Sequence, residues 1–213
     1  MKRAIIIAAA AILLASGIWS GAQMFAQLFG ATSRLPAGYR ECEYLESTGT
    51  QYIDTGYTPN DATEVVCVWR GSASGRLYGI YDKTHGFTAI LGSNGGSAGW
   101  VYGSQTANLY FNWSTTYTTR QNSDGVYVNG VLEAEYAAAD FTSPGSMYLF
   151  AQAGRTPLFT GRIFECSISD DGTLVRDFVP ALDSDGTPCL YDLVTATPFY
   201  NAGTGTFAYQ LKE

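Results

Sequence analysis

Asp124-Gly125-Val126-Tyr127-Val128-Asn129-Gly130-Val131-Leu132-Glu133 consists of two short β-branched and aromatic runs on either side of an Asn-Gly pair. That pair tolerates positive φ at both turn positions, which a two-residue type I′ turn requires. The stretch therefore predicts a β-hairpin and argues against a helix. Asp170-Asp171-Gly172 repeats the signal between the runs 161–169 and 173–179. Thr63-Glu64-Val65-Val66-Cys67-Val68-Trp69 is the most continuous β run and predicts a central strand buried on both faces. Shorter runs at 42–45, 51–55, 76–81, 87–91, 100–102, 108–113, 147–151, 189–194 and 199–200 are separated by glycine, serine and asparagine turns. Beyond the first 22 residues no segment has a 3.6-residue period. The expected fold is all-β, a two-sheet antiparallel jelly-roll sandwich.

Composition agrees with this. Hydrophobic residues make up 46% of the 213 residues and charged residues 15%, with 24 Gly, 15 Tyr and 11 Phe. Such a chain can bury a full core and is not of the disordered class. The formal charge of −7 repels phosphate backbones, so nucleic acid is excluded as the expected partner.

The opening pairs Lys2-Arg3 with an apolar run from Ala4 to Ser16, then small residues up to Ser20-Gly21-Ala22. This predicts a signal helix over 1–22 cleaved after Ala22, a linker over 23–38 and the sandwich domain over 39–213. The alternative is an uncleaved anchor, since no charge intervenes between Arg3 and Arg34. Gly17, Gly21, Gln23 and Gln27 interrupt the about 20 apolar residues that a spanning helix wants. Both readings place the domain outside the cytoplasm, and the membrane enters only through such an anchor.

Cys42, Cys67, Cys166 and Cys189 are an even number in an oxidising setting, which suits disulfides. Their wide spacing, without Cys-x-x-Cys or a histidine partner, argues against zinc. Three connectivities are open. The expected bridge is Cys42 to Cys189, joining the two ends of the domain. The alternative for Cys67 and Cys166, inside apolar runs, is a pair of buried free thiols.

Further stretches carry a family resemblance. Val126-Tyr127-Val128-Asn129-Gly130-Val131, Met147-Tyr148-Leu149-Phe150 and the run from Phe159 to Ile168 resemble the second half of a concanavalin A-like, laminin-G-like jelly roll. The stretches 35–39, 43–56, 172–180, 190–194 and 199–207 resemble a group of such domains in bacterial surface and phage-associated proteins. The likeness runs from Leu35 to Phe207. It implies a two-sheet sandwich whose concave face and rim loops bind glycans in related proteins. It does not imply one activity, since the fold hosts lectins, glycosidases and adhesive modules.

A glycosidase needs two carboxyls flanking the scissile bond at roughly 5–9.5 Å. The Glu-x-Asp-x-x-Glu strand of related glucanases is missing. Glu133-Ala134-Glu135 is the nearest approach and reads better as a solvated strand face. The single histidine, His85, has no Gly-x-Ser-x-Gly elbow beside it. Asp170-Asp171-Gly172 lacks the spaced oxygens of a calcium loop, and no cofactor is expected. Aromatics remain: Trp69, Tyr78, Tyr81, Trp100, Tyr102, Tyr110 and Trp113 fall in the middle of the chain. Trp69 reads as core. Trp100 and Tyr102, on one strand face between glycine-rich loops, are the expected sugar-stacking platform, with core packing as the alternative. Tyr110, Asn112, Asp82 and His85 are the expected polar and aromatic partners, with Asn94 and Asn108 nearby. The expected function is an exported, non-catalytic carbohydrate-binding or adhesive module that takes a glycan or cell-surface polysaccharide. A structural component of a surface or phage-like particle is the alternative, and a glycoside hydrolase ranks third.

Overall fold

A computed structural model describes residues 33–92, 96–154 and 158–213. The expected signal helix and Asn94 lie outside them. Leu35–Glu213 packs as one unit. In chain order its strands are β1 (Arg40–Thr48), β2 (Ile53–Asp54), β3 (Thr63–Ala73), β4 (Gly75–Ile80), β5 (Gly86–Leu91), β6 (Ser97–Gly103), β7 (Gln105–Tyr110) and β8 (Tyr117–Asn122). They continue as β9 (Gly125–Val128), β10 (Val131–Glu135), β11 (Tyr148–Leu149), β12 (Thr160–Asp170), β13 (Thr173–Leu182), β14 (Pro188–Asp192), β15 (Thr197–Tyr200) and β16 (Ala208–Leu211). No helix occurs among the described residues.

The strands form two antiparallel sheets. The larger runs β10-β9-β8-β3-β12-β1-β13-β14-β15, with β16 added to β1, and the smaller runs β2-β11-β4-β5-β6-β7. Both predicted hairpins form. Asn129 and Gly130 take φ of 51° and 85° between β9 and β10, and Asp171 and Gly172 take 47° and 72° between β12 and β13. Positive φ at both positions lets the turn twist with its strands, so each hairpin closes with two residues.

β3 is central, between β8 and β12, but it is not buried on both faces as expected. Val65, Cys67 and Trp69 are fully buried, whereas Val66 and Val68 are half-buried and Arg70 is exposed. The reason is that the smaller sheet covers only one side of the larger one. Period-2 alternation therefore sends every second residue of β3 outward.

The inward faces make the core. Leu45, Val65, Cys67, Trp69, Ile163, Ile168 and Phe178 of the larger sheet meet Leu77, Tyr78, Phe87, Ala89, Trp100, Tyr102 and Leu149 of the smaller. Gln121 of β8 ties the layers together. Its Oε1 accepts from Tyr78 Oη at 3.0 Å, and its Nε2 donates to Val101 O at 2.8 Å. A buried amide satisfied from the opposite sheet fixes the register of one layer on the other.

All four cysteines are buried free thiols. The expected Cys42–Cys189 bridge is not formed. Glu41 pairs with Ala181 of β13, and Ala181 pairs with Cys189 of β14, so Cys42 and Cys189 are not direct cross-strand partners. Cys67 and Cys166, in contrast, are direct cross-strand partners.

Candidate binding cleft

Cross-strand register, rather than any contiguous motif, assembles the best candidate site. On the outer face of the larger sheet, Glu46 of β1 pairs with Arg162 of β12, which pairs with Arg70 of β3. The three side chains lie in one row and line a cleft of roughly 310 Å³ with Gly71, Ser72, Trp113, Ser114 and Gly161. That volume suits one or two sugar rings.

Two glycines make the floor. A Cβ on Gly161, whose φ is +147°, would lie 2.4 Å from Arg70 O and 2.6 Å from Phe159 Cζ. A Cβ on Gly71 would sit 3.4 Å from Trp113 Cδ1. The Trp113 indole lies against the sheet at Gly71 and stays partly open to solvent.

The loop after β7 holds that indole in place. Asn112 Oδ1 accepts from Ser114 N at 2.9 Å and Ser114 Oγ at 2.7 Å. Asn112 N donates to Tyr117 Oη at 3.0 Å, and Thr115 N donates to Asn112 O at 3.1 Å. These local bonds form an Asx turn, so Trp113 is presented with little rotational freedom.

The charges are arranged unequally. Arg162 Nε donates to Glu46 Oε2 at 3.0 Å, and its guanidinium lies 4.1 Å from the Tyr44 ring centre. Arg70 is exposed and has no hydrogen-bond or ion-pair acceptor among the described residues. Arg120 is held by Glu64 at 3.3 Å, and Arg176 lies 3.7 Å from Asp192. The cleft therefore carries one uncompensated cation on a chain of net charge −7. Among the described residues its lining holds one carboxylate, Glu46, which is occupied by Arg162, and no carboxyl pair of the kind that cleaves glycosides.

The expected platform is a correction. Trp100 and Tyr102 share a face, but it is the inward one, and they are 0% and 1% exposed. Trp100 packs edge-on to Tyr78 at 5.9 Å, and its indole N–H is buried without a partner. Tyr102 stacks on Tyr136 at 5.0 Å, and its hydroxyl donates to Asp61 O. Burial pushes that phenol up to about 12. Neither ring can meet a ligand.

The other expected residues divide. Asn112 adjoins the cleft as the residue that shapes the Trp113 loop. Tyr110 is 74% exposed on edge strand β7 and is not part of the cleft lining. Asp82 and His85 lie in the loop at the Ile80 end of β4. The cleft lies near the opposite end, where Gly75 pairs with Leu91 and Leu91 approaches Gly71. Six residues at about 3.3 Å each separate the two ends. Asp82 Oδ1 accepts from Thr84 N at 2.9 Å and His85 N at 2.8 Å, and those N–H groups hold its carboxyl well below the usual range. These bonds build a turn. Asn108 is exposed on β7, where its Oδ1 accepts from Ser97 Oγ at 3.3 Å.

Calcium finds no cluster of three or more His, Cys, Asp or Glu side chains among the described residues. Asp170 accepts from Asn60 Nδ2 at 3.0 Å and Asp171 occupies the turn, so hairpin chemistry uses both. A second concavity, of roughly 540 Å³, is lined by Tyr127, Leu132, Tyr136, Asp124 and Glu135 beside the first hairpin. One face of Tyr127 is already covered by Arg120 at 3.7 Å, which leaves the Trp113 cleft the better stacking site.

Reasoning from sequence missed Glu46, Arg70 and Arg162 and did not single out Trp113. Trp113 carried a usable signal, because Asn112-Trp113-Ser114 is an Asx-turn sequence at the end of a strand. The charged row carried none, since it exists only through pairing between distant strands.

No family model matches the chain, and no curated protein matches it. Solved structures do resemble it. A candidate carbohydrate-binding protein from Bacteroides ovatus superposes with a TM-score of 0.53 at 13% identity, covering 81% of this chain and 60% of the other. The chain thus spans about three-fifths of that neighbour's length. The heptameric SAP-like pentraxin of Limulus polyphemus gives a TM-score of 0.43 at 10% identity, covering 81% of this chain and 94% of the other. At these identities the first likeness speaks to the fold alone, a two-sheet jelly-roll β-sandwich.

Proposed function

We propose that this chain is a non-catalytic carbohydrate-binding module of the concanavalin A-like, laminin-G-like type, exported from the cytoplasm and acting on glycan or cell-surface polysaccharide. The observation that carries this is the Trp113 cleft. A half-exposed indole lies over a glycine floor, with Arg70, Ser72 and Ser114 around it to meet hydroxyls. Sugars offer C–H faces to aromatic rings and a fringe of donors and acceptors to polar groups, and the cleft supplies both kinds of partner. The apolar run behind Lys2-Arg3 supports export. The carbohydrate-binding description of the Bacteroides ovatus neighbour agrees with the reading.

The assembly reading has one observation in its favour, the complete burial of Trp69 and Trp100. Trp113 counts against it. A glycan-array screen of the purified protein beside Trp113→Ala tests the choice. Binding to a defined glycan class that is lost in the variant, with melting temperature retained, is expected. A folded protein silent across the array overturns the proposal in favour of a protein-contact role.

A further inference from the structure

We infer that the ligand of the Trp113 cleft is an acidic saccharide, whose carboxylate or sulfate group is received by Arg70. The inference rests on the carbohydrate reading above and adds the chemical class of the sugar. Arg162 and Arg70 are direct partners on neighbouring strands and line the same cleft. Like charges opposite each other on one face repel. Glu46 compensates only one of them, at 3.0 Å from Arg162. Arg70 keeps its five N–H donors free beside the indole, with the Ser72 and Ser114 side chains on the same wall. An anionic group on a sugar stacked against Trp113 supplies the missing counter-charge. A planar carboxylate would also match the guanidinium fork in a bidentate pair. The rest of the molecule works against polyanions, because the whole chain carries −7. Local rather than global charge would therefore have to capture the ligand, which makes the idea specific to these residues.

The test is affinity electrophoresis of the purified protein through gels containing sodium polygalacturonate, dextran sulfate or neutral dextran, at two salt concentrations. Retardation by polygalacturonate alone assigns a carboxylate, and retardation by dextran sulfate alone assigns a sulfate. In the retarding gel, Arg70→Gln should weaken binding about ten- to a hundredfold, the scale of one charge-assisted hydrogen-bonded contact. Arg70→Lys should recover part of the affinity for sulfate and less of that for carboxylate. Binding of neutral dextran that needs Trp113 but is indifferent to Arg70→Gln would overturn this inference and leave the carbohydrate reading standing. Retardation by a polyanion that survives both Arg70→Gln and Trp113→Ala would overturn it as well. Failure of all three gels and of the glycan array would remove both.

Discussion

Arg162 donates to Glu46 at 3.0 Å while its guanidinium rests 4.1 Å from the ring centre of Tyr44. The pair is about one-third exposed on each side, so its contribution to folding is small, about 0–1 kcal/mol. Its effect on the cleft is larger, because Glu46 is the only carboxylate in the lining among the described residues. Glu46→Gln should leave the melting temperature within a few degrees of the parent. It should also strengthen retention on the acidic polysaccharide that binds. Weaker retention would mean that Glu46 itself holds the sugar hydroxyls.

Buried and half-buried tryptophans should behave in opposite ways. Trp100→Ala removes a fully buried ring and should cost about 3–5 kcal/mol, read as a lower denaturation midpoint. Trp113→Ala, at a half-exposed position, should cost roughly 1–2 kcal/mol and abolish glycan retention. A Trp113→Ala protein that binds normally would take the indole out of the site.

The hairpins show what could be read directly from the chain. Asn129-Gly130 and Asp171-Gly172 specify their turns locally, because positive φ at two successive positions is a property of those residues alone. Alternation likewise put Trp100 and Tyr102 on one face. It could not say which face, since that depends on where the second sheet lies, and here the sheet lies over them. The row Glu46–Arg162–Arg70 depends on partners more than ninety residues apart on the chain for its outer members, so no local pattern announces it. The sequence extends a strand run over 108–113, but β7 stops at Tyr110, so the exposure of Trp113 follows from the Asn112 turn rather than from periodicity.

Gly161 in the cleft floor should not tolerate a methyl group. In Gly161→Ala the new Cβ would meet backbone at 2.4 Å and 2.9 Å while φ stays at +147°. Strand β12 or β3 must then shift, at a cost of about 2 kcal/mol or more. Chemical denaturation should show the loss, and retention should fall with it as Arg70 moves.

Thiol chemistry should follow burial. Desolvation raises the Cys42 thiol to about 11 and the Cys189 thiol to about 12, and it also raises the Cys67 thiol well above its ordinary value. The folded protein at pH 8 should react negligibly with an aromatic disulfide reagent, while the unfolded chain should release four equivalents without prior reduction. A count of two would show that a bridge forms. Cys67–Cys166 is the pair whose strands already sit in register for it.

Acid should remove a contribution from the β4–β5 loop. The Thr84 and His85 N–H groups depress the Asp82 carboxyl in the folded state, so its stabilisation is present above the ordinary value near 4. It is lost as pH falls from there toward the lowered value. The difference in melting temperature between the parent and Asp82→Ala should therefore be constant from pH 7 to about 5 and shrink below 4. A difference that grows in acid would reverse the assignment.

The most direct measurement is a saccharide titration followed through the tryptophan indole N–H signals in a nitrogen–proton correlation spectrum, with Trp113 assigned by Trp113→Phe. A selective shift of the Trp113 signal, with the buried Trp69 and Trp100 signals still, is the predicted result. Saturable binding that leaves Trp113 unmoved would contradict the cleft as the site.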